Sequence, residues 1–314
     1  MGKSYHGDTK LLKNVDLNID TLPTPLTEIF GELFERAGVK VFVKRDDLIH
    51  SAISGNKWRK LKYNLIDAKS KGFHGLATFG GAYSNHLAAT AAAGQLFGFG
   101  TMGFVRGEEH ALTDTPTLRY CREQGMQLQY VTRQEYRQRH VENYIASLQK
   151  NFPDYYFIPE GGTSVLALLG VGEMVDEVRH QLGGLPTYFA VAGGTGGTAA
   201  GILATGQDVL AFSALKGGAF LEQDIAQLTH SSEILGALQL FTEYHFGGYA
   251  KWNHALLDFI IDFKQQHGIQ LEQVYTAKMF YGLFDLIGKG FFQHGATIVA
   301  VHTGGLQGLL PALQ

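Results

Sequence analysis

The chemistry of this chain starts at Ser54-Gly55-Asn56-Lys57-Trp58-Arg59-Lys60-Leu61, where a lysine follows a small polar turn and precedes an amphipathic pattern. A lysine amine at the mouth of a pocket can condense with an aldehyde to a Schiff base, the usual anchorage for pyridoxal phosphate. Gly55 lets the backbone turn and a planar ring approach, and Asn56 tolerates irregular backbone angles. The ordinary fate of a lysine at a helix start is simple solvation. These residues alone do not separate the two readings.

A second stretch, Val191-Ala192-Gly193-Gly194-Thr195-Gly196-Gly197-Thr198-Ala199-Ala200-Gly201, follows a strand pattern and opens a helix pattern. Its glycines expose consecutive backbone N–H groups at a positive helix end, and Thr195 and Thr198 add hydroxyl donors, a cradle for one phosphate. A plain strand-to-helix turn would not need so many glycines. Gly194 to Ala199 also fits the dinucleotide pattern G-x-G-x-x-A, but the next strand, Val209 to Ala214, runs into Leu215 and Lys216 with no carboxylate for a ribose hydroxyl. No G-x-x-x-x-G-K-[ST] occurs, which argues against a nucleoside triphosphate. A small phosphorylated cofactor survives.

The third stretch is Gly80-Gly81-Ala82-Tyr83-Ser84-Asn85-His86, again between a strand and an alanine-rich helix. Ser84 and Asn85 are ordinary N-cap residues. Functionally, Asn85 offers an amide to a cofactor's ring oxygen, and Ser84 a hydroxyl for a substrate carboxylate or a proton. Gly-x-Ser-x-Gly is not met, so this is no nucleophile elbow, and His86 is expected to pack or cap rather than act as a base. Metal catalysis has no support: the histidines are scattered and Cys121 stands alone.

The elements that must position these residues follow from length and periodicity. A chain of 314 residues suggests two domains around a cleft, and 45% apolar with 18% charged residues is a globular composition. A net charge of -3 leaves no electrostatic footprint for nucleic acid or an anionic membrane. One cysteine suits a reducing cytoplasm, and the polar start, Met1 to Lys13, holds no signal-peptide core. The charge-free tracts, Gly75 to Val105 and the stretch between Arg179 and Asp208, are broken by glycine and polar residues, so they read as buried α/β core rather than membrane spans.

Strands are expected at Val39–Lys44, Gly75–Phe79, Gly100–Val105, Leu128–Val131, Tyr155–Ile158, Thr187–Ala192, Val209–Ala214, Leu238–Tyr244 and Ala296–Val301. Helices are expected at Lys57–Ser70, His86–Leu96, Thr117–Gln124, Gln134–Gln149, Gly170–Gln181, Thr198–Thr205, Trp252–His267 and Lys278–Gly288. Pro23 and Pro25 mark an extended lead-in. The alternation gives an α/β protein of two domains, each an open, mainly parallel sheet flanked by helices, with ligands bound at the carboxyl ends of strands.

Gly55-Asn56-Lys57-x-Arg59-Lys60-Leu61, Ser84-Asn85-His86, Glu160-Gly161-Gly162-Thr163, the loop Gly193 to Thr198, Tyr275-Thr276-x-Lys278 and His302-Thr303-Gly304-Gly305 occur in this order. In these motifs the chain, from about Pro23 to Gly308, resembles pyridoxal-phosphate enzymes of the D-cysteine desulfhydrase and 1-aminocyclopropane-1-carboxylate deaminase family. The resemblance implies the tryptophan synthase beta-like fold, the second fold type of these enzymes. It implies a large cofactor domain of residues 1–56 and 164–314, a small domain of 57–163, and an active site in the cleft between them.

It also implies roles. Lys57 matches the lysine that binds the cofactor aldehyde and later moves protons, with Asn56 beside it among the cofactor contacts. Asn85 matches the residue on the 3'-oxygen, Gly193, Gly194, Thr195, Gly196, Gly197 and Thr198 the phosphate loop, and Thr303 the hydroxyl facing the pyridine nitrogen. Ser84, Tyr249 and Tyr275 match substrate-side catalytic groups. A cytoplasmic homodimer acting on a small amino acid is implied as well.

In this family the deaminases resemble one another in a glutamate after the second tyrosine and a leucine in the later loop, whereas desulfhydrases carry small hydroxyl residues. Thr276 and Thr303 therefore point to α,β-elimination of a D-cysteine-like amino acid to pyruvate, ammonia and sulfide. Deamination of the cyclopropane amino acid, racemisation, a nicotinamide-dependent oxidoreductase and a non-catalytic cofactor-binding protein are the alternatives. Tyr83, Leu87 and Ser54 depart from the family pattern, and Tyr83 and Leu87 are expected to border the substrate.

Overall fold

A computed structural model describes residues 17, 19, 21–53, 55–112, 115–230, 232 and 235–313. Ser54 and the polar start over residues 1–13 lie outside the described residues. In chain order the elements begin with β1 (Leu26–Ile29), α1 (Glu32–Ala37), β2 (Lys40–Lys44), α2 (Asn56–Ser70), β3 (Gly75–Gly80), α3 (Asn85–Phe97) and β4 (Gly100–Arg106). Then come α4 (Pro116–Glu123), β5 (Gln127–Val131), α5 (Arg133–Arg137), α6 (Glu142–Asn151), β6 (Tyr155–Ile158), α7 (Val165–Leu182), β7 (Tyr188–Gly193) and α8 (Gly197–Leu203). The last are β8 (Val209–Ser213), α9 (Phe220–Thr229), β9 (Leu238–Phe241), α10 (His254–His267), α11 (Thr276–Gly288) and β10 (Thr297–Val301).

The described chain gathers into two compact units, one made of residues 17, 19, 51–53 and 57–167, the other of 21–50, 55–56 and 168–313. The smaller unit holds a sheet in the order β5-β4-β3-β6, parallel at every pairing. Helices cover both faces of such a sheet, so its inner strands are largely apolar, and every residue of β3 is buried, whereas the edge strand β5 exposes Gln127 and Gln129. One face packs Ala82, Leu87, Leu118, Cys121 and Met126; the other stacks Phe79 on Phe104 at 5.1 Å and leans Tyr136 against them. Burial pushes the Cys121 thiol up to about 12.

The larger unit holds a sheet in the order β1-β2-β10-β7-β8-β9. Every pairing is parallel except β1 with β2, whose antiparallel contact makes the sheet mainly rather than wholly parallel. Phe34, Val41, Phe212, Phe263, Phe280 and Leu283 fill one side of this sheet and Val171, Val178, Ile202, Leu221 and Val299 the other. The two-domain, parallel α/β architecture expected from the alternation is thus the observed fold.

Helix starts follow their capping residues. Thr115 caps α4 with Pro116 in its first turn, Thr132 and Glu135 form a reciprocal capping box on α5, and Asn253 caps α10. The structure departs from expectation where tertiary contacts outweigh local pattern. The single helix expected over Gln134–Gln149 is two, α5 and α6, because Tyr136 and Arg139 both turn their polar ends onto the Glu160 carboxylate. No glycine or proline marks that break. The strand expected to reach Tyr244 ends at Phe241, and Tyr244 instead donates to Asp285 at 2.6 Å. β1, α1 and α9 were not expected; α9 buries Leu221, Ile225 and Thr229.

Candidate active site

In both sheets the chain fills neighbouring positions in one direction and then returns to the other side of its starting strand. In the larger unit β8 and β9 extend away from β7, and β10 comes back to pair with β7 on its opposite edge. In the smaller unit β4 and β5 extend away from β3, and β6 pairs on its other edge. Loops leaving two such parallel neighbours part to opposite faces and open a crevice at their carboxyl ends, where open α/β sheets bind ligands. The loops at these switch points are Gly193–Thr198 and His302–Gly305 in one unit, and Gly80–His86 and Pro159–Thr163 in the other. These hold most of the motifs singled out in the sequence.

In the larger unit the glycine loop joins β7 to α8. Gly196 sits in the left-handed region (φ 73°), and a Cβ there would lie 2.6 Å from Ile225, so only glycine fits. The N-cap position of α8 is Gly196, which has no side chain to cap its first amides, and Gly194 lies close against the Tyr275 ring. Asn56 Nδ2 donates to Thr198 Oγ1 at 2.9 Å, and its backbone N–H donates to Thr303 O at 3.3 Å. Gly55 (φ 63°) presses so tightly on Thr303 that a Cβ would stand 1.9 Å from its carbonyl oxygen. The residue covalently before Lys57 is therefore fixed to the glycine loop and to the loop after β10.

That second loop is shaped by His302, buried at the end of β10. Its Nε2–H donates to Gln270 O at 2.7 Å, which leaves Nδ1 to accept from Gly304 N at 3.2 Å. Thr303 is half-buried, and its hydroxyl has no partner among the described residues.

Tyr275 is half-buried and Tyr249 is 45% exposed, their rings 6.0 Å apart and edge to face. Tyr275 is held through Glu272, whose buried carboxylate accepts from the backbone of Val274 at 2.6 Å, Tyr275 at 2.8 Å and Thr276 at 2.6 Å. Burial raises the Glu272 pKa, and these amides oppose the rise. Thr276, expected to mark substrate choice, is fully buried and its hydroxyl accepts from Glu272 N at 3.0 Å. Its hydroxyl builds the turn and does not face open space.

In the smaller unit Lys57 lies in the first turn of α2, half-buried, with its pKa lowered to about 8 by desolvation against a partly restoring Glu160 carboxylate. One turn on, fully buried Lys60 approaches Thr163 Oγ1 at 3.3 Å; burial first, then the charge of Lys57, holds its pKa well below the usual lysine value. Glu160 receives the Tyr136 hydroxyl and the Arg139 guanidinium. His86 packs, as expected. Thr78 donates its hydroxyl to Ile158 O at 2.8 Å, so it accepts from His86 Nε2 at 2.8 Å and fixes the tautomer. Burial, then the charges of Lys57 and Lys60, keep this ring neutral.

Ser84 caps α3, its Oγ accepting from Leu87 N at 3.2 Å, which leaves the hydroxyl proton free to donate elsewhere. Asn85 is half-buried with no side-chain partner among the described residues. Tyr83 is 64% exposed, but Leu87 is wholly inside the apolar cluster against Met126. The expectation that Leu87 borders the substrate is corrected: its side chain is core.

These residues fit a phosphorylated aldehyde. Each unit offers groups of that kind: in the larger the loop before α8 presents backbone amides and a threonine hydroxyl, with the Thr303 hydroxyl unpartnered among the described residues, and in the smaller Lys57 supplies an amine of lowered pKa, with the Asn85 side chain likewise unpartnered among them. Sequence reasoning missed Lys60, Glu160, Glu272 and Lys278 as individuals. Lys60 could have been found from its spacing, three residues after Lys57 on the same helix face. Among the described residues no three of His, Cys, Asp and Glu gather as metal ligands, and no helix is long and apolar enough to cross a membrane.

A family model described as pyridoxal-phosphate dependent enzyme matches residues 18–304. The chain is 33% identical over 302 residues to a Pyrococcus horikoshii protein named "Putative 1-aminocyclopropane-1-carboxylate deaminase", covering 91% of this chain and 90% of that one. It is 28% identical over 323 residues to a D-cysteine desulfhydrase of Serratia proteamaculans, covering 96% of each. A crystal structure of an ACC deaminase homologue superposes with a TM-score of 0.79 at 29% identity, covering 95% of this chain and 94% of that one.

Proposed function

The chain belongs to the pyridoxal-phosphate-dependent enzyme family, and on that premise we propose that it is a lyase acting on a D-cysteine-like amino acid. The reaction would take the amino acid and one water to pyruvate, ammonia and sulfide. Membership overturns the nicotinamide and non-catalytic readings. The observation that carries the site assignment is the double tether of Asn56 to Thr198 and Thr303, directly before a lysine whose pKa is lowered to about 8.

When bound, the cofactor supplies a conjugated ring that stabilises negative charge on the carbon next to the imine. Lys57 would be its attachment point and, once displaced by the substrate's amino group, the base whose Nζ takes the α-proton. The amides of residues 194–198 and the Thr198 hydroxyl would grip the phosphate, and the Asn85 amide the ring oxygen. Thr303, a hydroxyl rather than a carboxylate, would leave the pyridine nitrogen unprotonated. Ser84 has a proton to donate to a substrate carboxylate, and the Tyr275 hydroxyl could protonate a departing thiolate.

Thr303 supports elimination over opening of a cyclopropane ring, following the family resemblance; Thr276, whose hydroxyl is spent on its own turn, adds only its residue type. The names of the relatives favour the second reading, deamination of 1-aminocyclopropane-1-carboxylate to 2-oxobutanoate and ammonia. Keto-acid release from D-cysteine, L-cysteine and the cyclopropane amino acid separates the two. Pyruvate from D-cysteine alone is the expected result, and 2-oxobutanoate as the main product would reverse the assignment. Borohydride should fix the chromophore to Lys57, and Lys57→Ala should lower turnover at least about a thousandfold. A Lys57→Ala protein with a borohydride-fixed chromophore and normal turnover would end the proposal. A cytoplasmic homodimer belongs to the same proposal, its mass to be read by light scattering on the purified holoenzyme.

A further inference from the structure

Lys278, in the first turn of α11, is a fully buried lysine. Its Nζ donates to three main-chain carbonyls: Ala214 O at 3.3 Å, His245 O at 2.9 Å and Gly248 O at 2.7 Å. An ammonium has three N–H bonds, and each finds one of these oxygens. Ala214 directly follows β8, whereas His245 and Gly248 bracket the turn that delivers Tyr249. Desolvation lowers the Lys278 pKa to about 8, and Glu272 works against the shift.

The turn is one a chain does not adopt unaided. Phe246 (φ 52°) and Ala250 (φ 55°) both lie in the left-handed region, with Gly247 and Gly248 between them also at positive φ. Strained conformations persist only where the surroundings over-determine them. Within the turn, Gly248 N donates to His245 O and Lys251 N to Gly248 O, so the two carbonyls on Lys278 are also the turn's own acceptors. Phe246 is pinned edge to face on Tyr281 at 4.9 Å. The ammonium ties this assembly to the end of the central sheet.

We propose that Lys278 is a positioning residue whose ammonium gathers the His245 and Gly248 carbonyls against the end of β8 and so sets Tyr249 edge-on to Tyr275. Glu272 does the matching work for Tyr275 through the three amides described above. The functional half of the inference rests on the reading that these tyrosines serve the substrate; the structural half does not.

The test is hydrogen exchange on the holoenzyme, comparing Lys278→Ala with the unsubstituted protein. Exchange over 245–251 is expected to rise at least about tenfold while β7 and β8 keep their protection. kcat is expected to fall about a hundredfold with KM changed far less, as for a misplaced proton-transfer group. Lys278→Gln, which keeps two N–H donors without the charge, should recover part of both and replaces the alanine variant should that not fold. Unchanged exchange over 245–251, or equal loosening of β7 and β8, overturns the inference. Local loosening in a protein whose kcat is unaffected upholds the tether but removes Tyr249 from the chemistry.

Discussion

At the scale of single residues the informative quantity is the pKa of Lys57. An exposed lysine amine is almost wholly protonated at neutral pH and therefore a poor nucleophile, whereas desolvation brings this one down to about 8. The neutral fraction grows as pH rises through the pKa. Capture of pyridoxal phosphate by the cofactor-free protein should therefore accelerate up to pH about 8 and level off above it. Stopped-flow absorbance over a pH series checks this, and a rate still climbing near the ordinary lysine value of about 10.4 would show that desolvation does not govern the amine. The lysine was readable as the candidate only with the other motifs in register, not from its neighbours alone. Its electrostatics were not, because Glu160 lies a hundred positions away in the chain and meets it only through the fold.

At the scale of elements, Ser84 serves two purposes that one substitution can separate. As the N-cap of α3 its oxygen accepts from Leu87 N, and as a proposed substrate contact its proton is available. Glycine is nearly as good a cap as serine, costing only a few tenths of a kcal/mol, whereas loss to alanine costs about 1 kcal/mol. Ser84→Gly should thus leave urea unfolding almost unmoved while kcat/KM falls at least about tenfold. A parallel loss of both would reduce Ser84 to a cap. The elements themselves were mostly legible: most strands and helices appear within a residue or two of expectation, though α7 starts at Val165 rather than Gly170. α5 and α6 were read as one helix because their interruption comes from Glu160 drawing Tyr136 and Arg139 aside, a contact that leaves no glycine or proline behind. Leu87 was misjudged similarly, since a family position borders a substrate only if the local packing leaves it outside the core.

At the scale of the whole molecule, each unit has its own sheet, its own core and its own switch point, and the motif loops concentrate at those points. Sequence order alone gives the loops; the strand order that makes β7 with β10 and β3 with β6 neighbours emerges only with the structure. A ligand that binds the folded chain and not the unfolded one stabilises it by mass action, by about 2.7 kcal/mol at a hundred times its Kd. Added pyridoxal phosphate should raise the Tm of cofactor-free protein by several degrees in a concentration-dependent way. Asn56→Ala, which loses the bond to Thr198, should need about tenfold more cofactor for the same shift. A Tm indifferent to the cofactor would contradict the phosphate loop.

The sequestered Cys121 has a practical outcome. With its thiol pushed up to about 12 and its side chain inside an apolar cluster, it offers almost no thiolate to an alkylating reagent at neutral pH. Since no other cysteine occurs, the native chain is already silent toward maleimides. A Tyr83→Cys or Leu112→Cys substitution, each at an exposed side chain, would give a single attachment handle for a fluorescent dye or spin probe, with no background thiols to remove first.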